Sequence, residues 1–367
     1  MNQAIKPLNI LIKGLILFLL FNLIIAAWQP RVEEFSLYNV IYPGRERLPF
    51  GENPKQSYNL SLFDLDAMFA SHDIAGAPKA DNEFRVIIVG DSSVWGTLLK
   101  PEETLAGQLN AANINACGKN VRVYNLGYPT ISLTKDVMLL SYGMQYDPDL
   151  VIWMTTLDAF PLAKQTSTPL AANNEEKIRE LANNYQLRVE ADDLNFIKKS
   201  FWKKTFIGDR RAWADFFRLQ IYGVMWSATG IDQFYPTEYE KAQTDLEADE
   251  SYHDLSAPLT EDQLAINALE TGFRVVGATP MLLVNEPMLI SAGANSDIRY
   301  NFFYPHWAYD DYREMMTQLS EQNNWMYVDL WNIVPANEFT NSAIHLTPAG
   351  ENILAENLAP YISENCK

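Results

Sequence analysis

A serine hydroxyl is a poor nucleophile at neutral pH and needs a base within hydrogen-bond reach to take its proton. The chain offers one such pairing across a long sequence separation. Gly90-Asp91-Ser92-Ser93 closes the apolar run FRVIIVG, and His345 lies in Ala343-Ile344-His345-Leu346-Thr347-Pro348-Ala349-Gly350, just ahead of a proline suited to open a helix. Ser92 falls where a strand turns into a helix, so its N–H lacks an intrahelical acceptor and its hydroxyl is free to point outward, as in nucleophile elbows of the G-x-S-x-G type. The bland alternatives are that Ser92 only caps a helix and that His345 is a structural loop histidine. Asp91 is read as bonding the turn backbone, with a supporting acid as the second reading. Asp158 either contacts substrate or caps an insert. Of the remaining histidines, His306 reads as a packed helix-start residue, and His72 and His253 as surface positions.

Elements that position these residues follow from the pattern of apolar runs. FRVIIVG, VRVYNLG (121–127) and DLVIWMTTLD (149–158) are continuous β-branched or apolar runs, as expected of strands buried on both faces. Helical stretches over about 102–112 and 133–146 separate them. A run at 273–284 is read as the fourth strand, followed by a helix over about 308–323, a strand at 326–332 and a last helix after Pro348. Strands alternating with helices indicate a parallel, doubly wound α/β sheet. Its strand C-terminal ends would gather Gly90-Asp91-Ser92-Ser93, Asn125-Leu126-Gly127, Thr155-Thr156-Leu157-Asp158 and the His345 loop at one crevice.

About 110 residues intrude between the third and fourth strands, and they are segregated by charge. Residues 198–218 carry seven basic and two acidic side chains, whereas 238–254 carry seven acidic and one basic. The basic part is interleaved with aromatics. Two readings stay open: a helical hairpin packed on the sheet domain, or an interfacial helix resting on anionic headgroups.

At the N-terminus, residues 8–28 read LNILIKGLILFLLFNLIIAAW, 21 residues against the roughly 20 needed to span hydrocarbon. Lys6 and Lys13 sit on its N-terminal side and Glu33 and Glu34 follow it, so the positive-inside rule places the short tip in the cytoplasm and the rest of the chain outside. A cleaved signal peptide is the alternative. Ile25-Ala26-Ala27 lacks the first small residue of an A-x-A site, which favours an uncleaved anchor. The expected division is therefore a tip and transmembrane helix over 1–30, a turn-rich linker packed on the domain over 31–83, and an α/β domain over 84–367 with a helical insert, or cap over the strand ends, at about 159–270.

Composition removes several classes of function. Of 367 residues, 48% are hydrophobic and 20% charged, enough for a large core and too few charges for a disordered chain. A net charge of −18 repels phosphate backbones, so nucleic acid is not an expected partner. Two cysteines and four histidines are too few for a Cys-rich zinc or iron–sulfur site, and no HExxH-type spacing occurs.

Taken in order along the chain, these blocks resemble the SGNH (GDSL-like) hydrolase superfamily. Gly90-Asp91-Ser92 with Gly96 is similar to its first block, Asn125-Leu126-Gly127 to its second and His345-Leu346-Thr347-Pro348-Ala349-Gly350 to its last. The resemblance covers 84–158 and 271–362. It implies a flavodoxin-like α/β sandwich, Ser92 as nucleophile, His345 as base, and an oxyanion hole from the N–H groups of Ser92 and Gly127. Two blocks depart from the pattern. The family's G-x-N-D block would supply an asparagine amide, but Leu157 stands there, leaving the hydroxyls of Thr155 or Thr156 as substitutes. The acid of its D-x-x-H block is replaced by Ser342, with Glu338 as a second candidate acid. The site thus reads as a Ser–His dyad, with slow hydrolysis or acyl transfer both open. No metal or organic cofactor is implied.

With the membrane helix, the resemblance implies a single-pass, extracytoplasmic esterase or acyltransferase acting on acyl (O-acetyl included) esters of envelope glycans. The rival is a non-catalytic scaffold that binds an envelope polymer or a membrane acyltransferase partner. The implied topology ends the first and last helices at one corner of the sheet, so Cys117 and Cys366 are expected to form a disulfide.

Overall fold

The apolar runs pair as parallel strands. The computed structural model describes residues 6–30, 37–41, 44–48, 65–189, 193, 195–196, 200–229 and 235–364. Its strands are β1 (Glu83–Gly90), β2 (Asn115–Ala116), β3 (Lys119–Gly127), β4 (Leu150–Thr155), β5 (Met281–Asn285) and β6 (Met326–Asp329). They form one six-stranded sheet in the order β2-β3-β1-β4-β5-β6. All neighbours are parallel except the short β2, which pairs antiparallel with β3. The register runs from Glu83↔Asn120 to Gly90↔Gly127, so the Ser92 turn leaves the sheet directly beside the end of β3.

Helices among the described residues are α1 (Pro7–Trp28), α2 (Leu37–Ile41), α3 (Leu65–Ser71), α4 (Asp73–Gly76), α5 (Ser92–Trp95), α6 (Leu105–Ala111) and α7 (Leu133–Gly143). After β4 come α8 (Pro169–Asn173), α9 (Glu175–Tyr185), α10 (Arg210–Thr229), α11 (Ile266–Val276), α12 (His306–Asn323) and α13 (Pro348–Glu364). Side chains alternate along each strand. Ile87, Val89, Val151, Trp153 and Leu283 face a core shared with α7, α9, α11 and α12. Val86, Ile88, Ile152, Met154, Leu282 and Val284 face a second core shared with α6 and α13. Burial on both faces is why these runs are continuously apolar.

The fourth run divides differently from expectation. Residues 273–276 are not strand: they end α11, whose buried Ile266, Leu269, Val275 and Val276 pack on the sheet. Gly277, at φ 64°, stops the helix, and β5 begins only at Met281. A run uniform in hydrophobicity hides the change from helical to strand period. The β4–β5 connection therefore includes α11 as a crossover helix.

The described insert does not act as one cap. Its first part, α8 and α9, packs with α7 and α11 on one sheet face. The acidic segment follows the strand C-terminal ends. There Ala242 N–H bonds Thr340 O at 2.6 Å, Leu246 N–H bonds Ala294 O at 3.0 Å, and Lys241 Nζ reaches Asn337 O and Phe339 O. Its basic part lies by α1 instead, through contacts described below.

Helix α1, at 22 residues, is long and apolar enough to cross a membrane. Of the linker, residues 44–48 strap the domain. The Arg47 guanidinium stacks 3.8 Å over the Trp95 ring and donates to Trp95 O and Gly96 O, while Trp95 Nε1 donates to Leu48 O at 2.7 Å. His72 corrects the surface reading. It is buried, with Nε2 2.9 Å from Asn125 O and Nδ1 accepting from Ile74 N–H. His306 does begin a helix, stacked 3.8 Å from Tyr300. Cys117 is disulfide-bonded, and Cys366 lies outside the described residues.

Candidate active site

Ser92 is the first residue of α5. Asp91 caps that helix by accepting from Ser93 N–H at 2.8 Å, as the turn chemistry predicted. Beneath the turn, Lys135 Nζ is fully buried and donates to Gly90 O at 2.7 Å and Tyr128 O at 3.0 Å, while pairing with Asp136. The carbonyls ending β1 and following β3 are thereby held together below Ser92. Nothing in the spacing of a lysine inside an apolar helix signalled this clamp.

At the other end of the chain, the antiparallel bridge Phe339↔Leu346 closes a loop, and Thr340 N–H bonds His345 O at 2.8 Å. The loop brings His345 Nε2 to 2.8 Å from Ser92 Oγ and Nδ1 to 2.9 Å from Asn341 Oδ1. This geometry fits one protonation pattern: Nδ1–H donates to the amide oxygen and Nε2 accepts from the serine hydroxyl. Burial pushes the His345 pKa down to about 4, so the imidazole is neutral at physiological pH.

Neither the residue in the acid slot nor the candidate acid faces Nδ1. Ser342 does not contact it, because Asn341 occupies that position. Glu338 accepts from Thr347 Oγ1, and its carbonyl accepts Thr347 N–H at 2.9 Å, so it anchors the start of α13. A carboxamide four residues before the histidine was the available sequence signal, but it matched no acid slot.

The oxyanion donors also differ. Ser92 N–H makes no hydrogen bond among the described residues and is available. Gly127 N–H instead donates to Asn125 Oδ1 at 2.9 Å. The glycine is demanded by packing: a Cβ there would lie 2.3 Å from Trp95 N. Asn125 completes the contact by donating from Nδ2 to Val94 O at 2.8 Å, tying β3 to the helix that carries Ser92. Leu157 is fully buried.

Thr156 Oγ1 bonds Tyr304 OH at 2.8 Å, and Thr155 Oγ1 bonds Val284 O at 3.4 Å; both threonines are buried and turned to these partners. Asp158 is bound to Lys164 and lies 3.0 Å from His253 Nε2, so it holds the insert, while His253 is exposed, as its surface reading expected. Thr130, just past the end of β3, has φ 103°, a strained conformation for a β-branched residue, and its buried Oγ1 has no hydrogen-bond partner. The sequence reading passed over it.

Behind α5 lies a small cavity lined by Ser93, Glu286 and Glu351. Ser93 Oγ donates to Glu286 Oε2, while Glu286 Oε1 is unpaired. Burial pushes Glu286 well above the usual carboxylate range, Glu351 up to about 8 and Asp91 up to about 6. Among the described residues, no cluster of three or more His, Cys, Asp or Glu is placed to hold a metal.

No protein-family model matches the chain, and no curated protein matches it. Solved structures do. A carbohydrate acetylesterase family member from Sinorhizobium meliloti is 13% identical, with 77% of this chain and 98% of that chain covered at a TM-score of 0.35. The aryl esterase of M. smegmatis is 15% identical, with 76% and 97% covered at 0.35. A member of the lipolytic protein G-D-S-L family from Veillonella parvula is 10% identical, with 76% and 98% covered at 0.35.

Proposed function

We propose that the chain is a membrane-anchored, extracytoplasmic serine esterase or acyltransferase of SGNH type that acts on acyl esters, O-acetyl included, of envelope glycans. The observation that carries this reading is the 2.8 Å contact between Ser92 Oγ and a neutral His345 Nε2 at the end of a parallel sheet. His345 takes the Ser92 proton as Oγ attacks the ester carbonyl. The oxyanion is met by Ser92 N–H, which starts α5. His345 then returns the proton to the leaving alkoxide, leaving an acyl-serine. Water or a sugar hydroxyl, deprotonated by the same imidazole, releases the acyl group.

The sheet in this reading is the doubly wound sheet of that superfamily, supported by the parallel order β3-β1-β4-β5-β6 and by helical cores on both faces. The chain divides into a tip and anchor over 1–30, a linker over 31–83 and the α/β domain over 84–367. Lys6 and Lys13 on the N-terminal side of the apolar run, with Cys117 in a disulfide, support an outside location for the domain.

The rival reading, a binding scaffold, is favoured by the neutral Asn341 on Nδ1 and by the engaged Gly127 N–H. A fluorophosphonate probe on the detergent-solubilised chain separates the two. The enzyme reading expects labelling that disappears in Ser92→Ala and His345→Ala; a folded wild type that stays unlabelled from pH 5 to 9 overturns it.

A further inference from the structure

The basic aromatic segment that the catalytic reading leaves unused lies against the end of α1. Phe21 and Phe206 rings are 5.5 Å apart, Asn22 Oδ1 accepts Ile207 N–H at 3.0 Å, and Gln29 Nε2 donates to Lys204 O at 3.1 Å. Residues 201–207 are therefore fixed at the level of α1 residues 21–29. At 1.5 Å per residue, Phe21 lies about 10 Å along the helix axis from Trp28. That is the depth, about 5–10 Å, which interfacial helices reach at the headgroup–acyl boundary.

Side chains at this level fit such a boundary and not water. Trp28 is 72% exposed and Trp202 73% exposed, two indoles at the position of an interfacial aromatic belt. Helix α10 starts three residues after Ile207. It exposes Phe217 (57%), Ile221 (65%) and Met225 (57%), spaced four apart on one face. Its first turn and one flank are packed: Trp213, one turn before Phe217, lies 5.3 Å from Phe206, and Gln220 Oε1 accepts Leu37 N–H at 2.7 Å. Helix α2, packed on α10, leaves Val40 and Ile41 exposed as well.

Charge points the same way. In a chain of net charge −18, Lys203, Lys204, Arg210 and Arg211 gather where α10 leaves α1. An anionic surface attracts this end and repels the acidic segment over the strand ends, within a Debye length of about 8–10 Å.

We propose that residues 201–207 and α10 lie on the bilayer surface that α1 enters, with Phe217, Ile221 and Met225 in the headgroup–acyl boundary and the basic cluster on anionic headgroups. This rests on the reading of α1 as a membrane helix. The docked helix makes a second attachment beside the anchor and fixes how the α/β domain sits over the membrane.

The test uses the full chain in vesicles of phosphatidylcholine and phosphatidylglycerol, with an environment-sensitive fluorophore on one introduced cysteine and lipid-borne nitroxide quenchers. Ile16→Cys in α1 should be quenched by deep nitroxides, and Ile221→Cys and Met225→Cys by shallow ones. Asn352→Cys, exposed on α13, should be quenched by neither. Replacing Lys203, Lys204, Arg210 and Arg211 with glutamate, or omitting phosphatidylglycerol, should lower quenching at 221 and 225 and leave Ile16→Cys unchanged. Quenching at 16 without quenching at 221 and 225 overturns the docking while the anchor stands. Absence of quenching at 16 removes the anchor and the docking with it. Shielding at 221 that depends on protein density in the vesicle, without quenching, assigns the face to a second copy and overturns the proposal. Quenching at 221 and 225 indifferent to charge overturns its electrostatic half.

Discussion

Asn341 gives His345 a neutral acceptor where a carboxylate would stabilise the imidazolium formed during attack. Burial holds the base at a pKa of about 4. Protonation of His345 removes the base, so activity is present above its pKa and lost below it. The kcat/KM profile of an ester substrate is expected to stay flat from pH 8 down to 5 and to fall only near pH 4. Asn341→Asp adds the missing charge and should move that acid limb up by roughly one to three pH units. Asn341→Ala should lower kcat and leave the limb near pH 4. A limb that stays put in Asn341→Asp would show that residue 341 does not face Nδ1 during turnover.

Among the elements, α7 does more than cover the sheet, because Lys135 reaches from it to the carbonyls that end β1 and follow β3. Its charge is buried and balanced by Asp136, whose carboxyl also accepts from Trp153 Nε1 at 3.2 Å. Removing one partner leaves the other charged and unpaired in the core. Lys135→Ala should therefore cost about 3–5 kcal/mol, read as a lowered urea midpoint. The pair Lys135→Met with Asp136→Leu should cost less than either single change, since no buried charge remains. If the double variant is the least stable of the three, the clamp on the two carbonyls outweighs the charge balance.

Over the whole molecule, α13, β5 and α5 meet at a buried acidic cluster behind Ser92. Glu351 is raised by burial from 4.5 to about 8. Its folded form holds the proton more tightly, so the stability it contributes is complete below pH 4.5 and is lost as pH rises through 8. The loss is at most about 5 kcal/mol. Glu286 and Asp91 act in the same direction, whereas His345, depressed below 6.5, acts oppositely at lower pH. The difference between wild type and Glu351→Gln isolates one group: their Tm gap should change steadily in favour of the variant between pH 5 and 8. A constant gap would mean that Glu351 is ionised in the folded chain.

The sequence by itself determined where the strands run and which residues meet at their ends, because burial on both faces forces continuous apolar runs and a parallel sheet gathers its C-terminal loops. Ser92 and His345 were legible for that reason, as was the apolar helix at the N-terminus. Where period and hydrophobicity disagree, as at 273–284, the run alone misplaced β5. Only the tertiary structure decided which polar groups are consumed by their neighbours. Asn341 rather than Ser342 faces the imidazole, Glu338 is spent on Thr347, Gly127 N–H on Asn125, and Asp158 on Lys164 and His253. Hydrogen bonds act over about 3 Å, and loop closure sets that distance. A spacing in sequence names the residues a loop carries, but the closed loop selects which atom points at the ring.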